Sequence, residues 1–200
     1  MPGFWLRFLI TACGLMLAAW QLDGIHLGGP LPLFLAALVL GAALGLPRDA
    51  MVGALREFHG LPHRMQRVTV RHGVTWYNDS KGTNVGATLA AIDGITGKVV
   101  LIAGGDAKGA DLAPLAAALQ HKGRGAVLIG TAAAELQALL TGTVPVALVD
   151  DMAQAVGLAA GMAQPGDAVL LSPACASTDM FRDFRERGDV FVAALRELDA

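Results

Sequence analysis

Apolar positions divide the chain into two regimes. Up to Pro47 they come as unbroken runs, Phe8 to Leu22 and Leu31 to Leu46, with Arg7 and Asp23 the only Asp, Glu, Lys or Arg before Arg48. The connection Asp23-Gly-Ile-His-Leu-Gly-Gly-Pro30 is turn chemistry, so residues 1–47 read as an apolar helical hairpin. Each run is shorter than the ~20 residues a spanning helix usually needs. Spanning a membrane, lying on one and packing against the following domain all stay open for it. Were it to span, Arg7 and Arg48 would fall on one side, and the positive-inside tendency would leave the remainder in the cytoplasm, tethered to the inner membrane. Membrane contact is then expected through residues 4–46. A cleaved signal peptide is the weaker alternative, since Arg7 is a sparse basic region and Ala18-Ala19-Trp20 a poor cleavage site.

From Arg67 onward short apolar strands alternate with helical spacing. Arg67 to Val70 and Val74 to Tyr77 flank Gly73 and predict a hairpin. A helix is expected over Asn84 to Ile92, then the continuous strand Val99 to Ala103, whose unbroken apolar run suits burial on both faces. Helix Leu112 to Gln120, strand Ala126 to Ile129, helix Ala132 to Leu140, strand Val146 to Val149, helix Met152 to Ala163 and strand Ala168 to Leu171 follow. This alternation predicts an α/β, Rossmann-like fold: a mostly parallel sheet with flanking helices over 67–200, joined to the hairpin by a linker over 48–66. In such sheets ligands gather at the carboxyl ends of the strands. Those ends carry Asp79 to Thr83, Gly104 to Lys108 and Ser172 to Ser177.

Composition adds little to this division. The 54% apolar content reflects the first regime, and a net charge of −2 argues against nucleic acid as a partner. Cys13 and Cys175 stand far apart in dissimilar surroundings and suggest reduced thiols rather than a disulfide or metal framework.

The strand-end segments carry the candidate chemistry. Asn78-Asp-Ser-Lys-Gly-Thr-Asn84 places an anion, a cation and several hydrogen-bonding side chains where a strand turns into a helix, whose free amides suit an anionic group. The plainer reading is an N-cap beside a solvated lysine. Gly104-Gly-Asp-Ala-Lys-Gly109 is a second glycine-rich turn, weak alone. No Gly-x-x-x-x-Gly-Lys-Ser/Thr spacing occurs in the sequence, so it contains no Walker A phosphate cradle. Cys175, in Leu171-Ser-Pro-Ala-Cys-Ala-Ser177, has no evident base and reads as a packing residue. His59 and His63 have metal-ligand spacing for a helix, but Gly60 and Pro62 between them argue against that helix.

Taken together, Gly60-Leu-Pro-His-Arg-Met-Gln66, Asn78 to Thr88, Gly104 to Lys108, Leu171 to Ser177, Asp179-Met-Phe-Arg-Asp-Phe184 and Arg187-Gly188 resemble, in order and spacing, the C-terminal domain of the Mur ligases, in the branch that adds D-glutamate to UDP-N-acetylmuramoyl-L-alanine. The likeness extends upstream to about Leu35, where Leu35 to Pro47 is similar to the end of that family's central domain. The resemblance implies an ATP-dependent ligase of peptidoglycan synthesis acting in the cytoplasm, with ATP and Mg2+ as cofactors. Lys81, Thr83, Lys108, Ser177 and Phe184 match positions that hold D-glutamate, and His63, Arg64 and Asp79 match positions at the nucleotide. The family's uridine-diphosphate site, P-loop, carbamylated lysine and Mg2+ ligands have no counterpart in this sequence, and Pro30 and Leu33 stand where two adenine-facing asparagines are usual. Ala107 replaces a frequent glycine. These departures lead us to expect no metal site, no residue assigned to catalysis and no turnover by the chain alone, with the missing ligase domains supplied in trans. Phe4 to Trp20 with Leu22 to His26 also resembles membrane proteins of the phage holin family IV type, which gives a membrane-tethered protein with a relic ligase domain as the alternative.

Overall fold

The structure is a computed structural model and describes residues 43–57 and 60–198. Apart from residues 43–47, the expected hairpin lies outside the described residues, as do the holin-like run and His59. Among the described residues, no helix is long and apolar enough to cross a membrane. The chain divides into two compact units between His59 and Gly60.

Of the first unit, helix α1, Arg48–Glu57, is described, and it falls in the segment expected to be linker. Asp49 in its first turn and Arg56 in its last complement the helix dipole.

The second unit begins with a hairpin, β1 (Gln66–Arg71) and β2 (Val74–Asn78), paired antiparallel. Its two-residue turn places both His72 and Gly73 at positive φ, 49° and 76°, which is the backbone a tight hairpin twist demands. Then come α2 (Val85–Gly94), β3 (Val99–Gly104), α3 (Pro114–Lys122), β4 (Gly123–Ile129), α4 (Ala133–Leu140), β5 (Val146–Leu148), α5 (Met152–Met162), β6 (Ala168–Leu171) and α6 (Phe184–Glu197). The six strands form one sheet in the order β1-β2-β6-β3-β4-β5, parallel throughout except at β1.

Strand parity explains the layering. Along β3 the side chains of Val99, Leu101 and Ala103 join one core cluster, with Ile92 of α2, Leu115 and Leu119 of α3 and Leu136 and Leu140 of α4. Val100 and Ile102 point the other way, into a second cluster with Val156 of α5 and Phe191 of α6. Both faces are covered by helices, so every residue of β3 and β6 is buried, as the unbroken apolar runs predict.

Helix α6 was not expected from the periodicity. It begins at Asp183, whose carboxylate accepts from the Arg185 and Glu186 amides, and its buried positions run Arg187, Gly188, Phe191, Ala194 and Leu195. The strand order has a direct consequence for function. Since β6 inserts between β2 and β3, the three motif-bearing loops leave three adjacent strands.

Candidate functional site

The loop after β2 is fixed before any ligand is considered. Asp79 donates its amide to Leu171 O at 2.8 Å, and Gly82 donates back to Asp79 O at 2.7 Å, closing a turn at the strand end. Asn84 then caps α2, its side chain accepting from the Ala87 amide at 2.9 Å. Lys81 stands within that turn and Thr83 between it and the cap, both half-buried.

Asp79 is largely buried and its carboxylate accepts from Ser172 Oγ at 2.7 Å and from the Met65 amide at 3.1 Å. Ser172 Oγ also lies 3.0 Å from Thr88 Oγ1, so one polar chain joins the β2 loop, the β6 end and α2. Burial raises the Asp79 pKa above the ordinary carboxylate value, against the lowering effects of the Ser172 and Met65 hydrogen bonds and the Arg64 charge. A group with a raised native pKa favours the protonated folded state. Its contribution is therefore fully present below the unfolded carboxylate pKa and is lost as pH rises through the folded value. Asp79→Asn is expected to remove that dependence, flattening thermal stability against pH from the carboxylate range upward, without loss of Tm at pH 7. Thermal melts across pH check this; an unchanged pH profile would contradict the assignment.

His63 enters from the segment before β1. Its carbonyl accepts from the Lys81 amide at 3.0 Å, and its ring meets Phe184 edge-on at 6.0 Å. Asn78 Nδ2 lies 3.2 Å from His63 Nδ1 and donates to Gly188 O at 3.1 Å, while its Oδ1 accepts from the Ser80 amide. An amide nitrogen can only donate, so His63 Nδ1 is the acceptor and the ring proton sits on Nε2. Nε2 faces Asp189 Oδ1 at 3.8 Å.

Lys81 Nζ stands 4.3 Å from the centre of the Phe184 ring, and the Arg185 guanidinium 4.8 Å from it. Two cations thus gather on one aromatic ring, an arrangement suited to holding an anion beside an apolar wall. Arg64, Met65, Asp79, Lys81 and Gly82 line a cleft of about 350 Å3 whose far wall is α2 at Ala87, Ala90, Ala91 and Gly94.

The remaining expected residues, Lys108 and Ser177, lie on the loops that follow the adjacent strands β3 and β6. An antiparallel bridge, Asp106 to Ala176, ties those two loops together. Lys108 and Ser177 are both anchored through their backbone: the Lys108 amide donates to Asp106 Oδ1 at 2.9 Å, and Ser177 O accepts from the Met180 and Phe181 amides. Ala107 is not among the positive-φ residues, so alanine fits without strain. Lys108 itself is held at φ 50°, and Ala174 at 61°, strained positions within the two loops.

Cys175 is buried, and burial pushes its thiol up to about 11. Such a thiol is protonated at neutral pH and is no nucleophile. Asn78, Ser80, Ser172 and Arg187, which have no role in the sequence reading, belong to the framework. All lay inside the motifs, and burial, which local pattern does not report, is what distinguishes them.

Residues 63–175 match the family model described as Mur ligase, glutamate ligase domain. Two similar curated proteins are UDP-N-acetylmuramoylalanine--D-glutamate ligases. That of Nitrosococcus oceani is 55% identical over 166 residues, 82% of this chain and 37% of its own length. That of Pseudomonas aeruginosa is 54% identical over 168 residues, 82% of this chain and 38% of its own length. Matches of that length take in part of the Leu35 to Pro47 stretch. The chain thus spans little more than a third of these relatives. The fold resembles the crystal structure of UDP-N-acetylmuramate-alanine ligase from Thermotoga maritima, with a TM-score of 0.52 at 15% identity, over 82% of this chain and 37% of that one.

Proposed function

Because the chain belongs to the Mur ligase family, we propose that its Gly60 to Leu198 unit receives D-glutamate for an ATP-dependent amide ligase of peptidoglycan synthesis. The observation that supports this reading is the pairing at 4.3 Å of Lys81, on the loop that leaves β2, with the ring of Phe184, the first residue of the helix that follows the adjacent strand β6. In the proposed site Lys81 and Lys108 face the two carboxylates of D-glutamate, Thr83 and Ser177 supply hydroxyls, and Phe184 walls the carbon chain. Holding the amino acid this way leaves its amine free to attack an acyl phosphate made on the L-alanyl carboxyl of the other substrate. The amide bond forms, inorganic phosphate leaves and the amine gives up a proton. The reading implies a cytoplasmic site of action.

The residues present fit one end of the nucleotide. Arg64 and Asp79 share a cleft wall with Lys81, and a carboxylate already accepting two hydrogen bonds keeps lone pairs for ribose hydroxyls. His63 orients that wall through its carbonyl contact with Lys81. The phosphates find no Walker A loop in the sequence, and the described residues hold no group of three or more His, Cys, Asp or Glu suited to a metal ion. In the proposed reaction the chain's own part is to bind and orient.

A complementation assay tests the proposal. The chain is mixed with separately expressed N-terminal and central domains of a relative, ATP, Mg2+ and UDP-N-acetylmuramoyl-L-alanine. Phosphate release is expected with D-glutamate and not with L-glutamate. Release that does not depend on adding this chain would contradict it.

A further inference from the structure

Arg187 is 1% exposed and heads the largest fully buried side chains. Its hydrogen bonds go to neutral acceptors only: Nε to Ser80 Oγ at 3.0 Å, Nη2 to Ser80 O at 2.9 Å, and Nη1 and Nη2 to Cys175 O at 3.2 and 3.3 Å. Among the described residues no carboxylate pairs with it at ion-pair distance. Ser80 Oγ in turn donates to Phe184 O at 2.8 Å, one helical turn before Arg187 on α6. Nη1 also lies 3.4 Å from where a Cβ on Gly105 would stand, so the guanidinium abuts the loop after β3 as well.

Burying an unpaired charge opposes folding, and desolvation lowers the Arg187 pKa to about 10. An apolar side chain would fill the same space at lower cost, so packing alone does not account for arginine here. What only a planar fork with five donors does is reach Ser80 and Cys175 together.

We infer that Arg187 is a positioning residue, which clamps the loop carrying Lys81 and the loop carrying Ser177 to the helix carrying Phe184 and so sets the spacing of the groups that meet the ligand. It touches no ligand itself and acts through those three. The ligand part of this inference rests on the D-glutamate reading; the clamp itself does not.

The test uses the full chain and three variants, Arg187→Met, Arg187→Lys and Ser80→Ala, with two readouts. Amide hydrogen exchange is measured without ligand, and D-glutamate affinity by titration. In Arg187→Met, exchange is expected to quicken at residues 79–83 and 174–177 while β4, β5 and α4 keep parental protection. Affinity should fall by about tenfold or more. Arg187→Lys, which keeps the charge but cannot reach both acceptors, is expected to restore only part of that affinity, with a lowered melting temperature and the same two loops quickened in exchange. Ser80→Ala removes one arm of the clamp and should show the same local pattern more weakly, and it decides the matter if Arg187→Met does not fold. Parental exchange in both loops of a folded variant overturns the clamp, as does uniform quickening across the sheet. If the parent chain binds no D-glutamate, the glutamate reading fails and the clamp stands or falls on the exchange pattern alone.

Discussion

Lys81→Met is expected to weaken D-glutamate binding by roughly 10- to 150-fold, the equivalent of losing a charged hydrogen bond of about 1.5–3 kcal/mol. The side chain it removes stands over Phe184 at 4.3 Å, half-buried, where a carboxylate contact is less screened than on an open surface. The backbone around it depends on other groups. The Lys81 amide still meets His63 O, Asn78 and Ser80 still fix the turn, and Asp79 still holds Ser172. Melting temperature should therefore stay near the parental value while affinity falls. Lys81→Arg should retain part of the affinity, because it keeps a cation over the ring. Isothermal titration paired with a thermal melt separates the two effects, and an unchanged affinity in Lys81→Met would remove Lys81 from the site.

Gly104→Ala is expected to act on the fold instead, and severely. Gly104 ends β3 at φ 116°, and a Cβ there would stand 2.0 Å from Ile129 O, the carbonyl that ends the adjacent strand β4. Backbone at the buried ends of two paired strands cannot yield as a side-chain tip could. The strained φ costs about 1–3 kcal/mol and the overlap about as much again. The sum is a large share of the ~5–15 kcal/mol that stabilises a typical domain. We expect loss of soluble folded protein or a melting temperature lowered by on the order of 10 °C or more. Gly109→Ala is the control, with φ 73° but nothing within 4 Å of the added Cβ. A Gly104→Ala variant no less stable than that control would show that the β3–β4 approach is looser than described.

The strand interiors were legible because burial on both faces leaves unbroken apolar runs: Val99 to Ala103 and Ala168 to Leu171 are read correctly from that pattern. Their order in the sheet was not. Nothing local to Ala168 to Leu171 says that it inserts between β2 and β3, because pairing is decided by partners ~70–90 residues away in the chain. Helix α6 shows a different limit. Its start carries a legible signal in Asp183 with Glu186 three residues on, but its buried stripe opens with Arg187 and Gly188, which break the apolar period.

The candidate site followed the same division. Lys81, Lys108 and Ser177 could be picked out because strand ends in a parallel sheet collect ligands, and the family resemblance assigned them roles. Asn78, Ser172 and Arg187 hold that site through hydrogen bonds to residues far off in sequence, such as Asn78 to Gly188 and Arg187 to Ser80. Such contacts are properties of the fold, and no spacing rule anticipates them.

Calorimetric titration of the chain with D-glutamate and, separately, with L-glutamate addresses the central claim most directly. Saturable one-to-one binding of D-glutamate that is tighter than that of L-glutamate and is weakened in Lys81→Met is the result expected. A folded chain that takes up no heat with millimolar D-glutamate, or treats the two enantiomers alike, would contradict it.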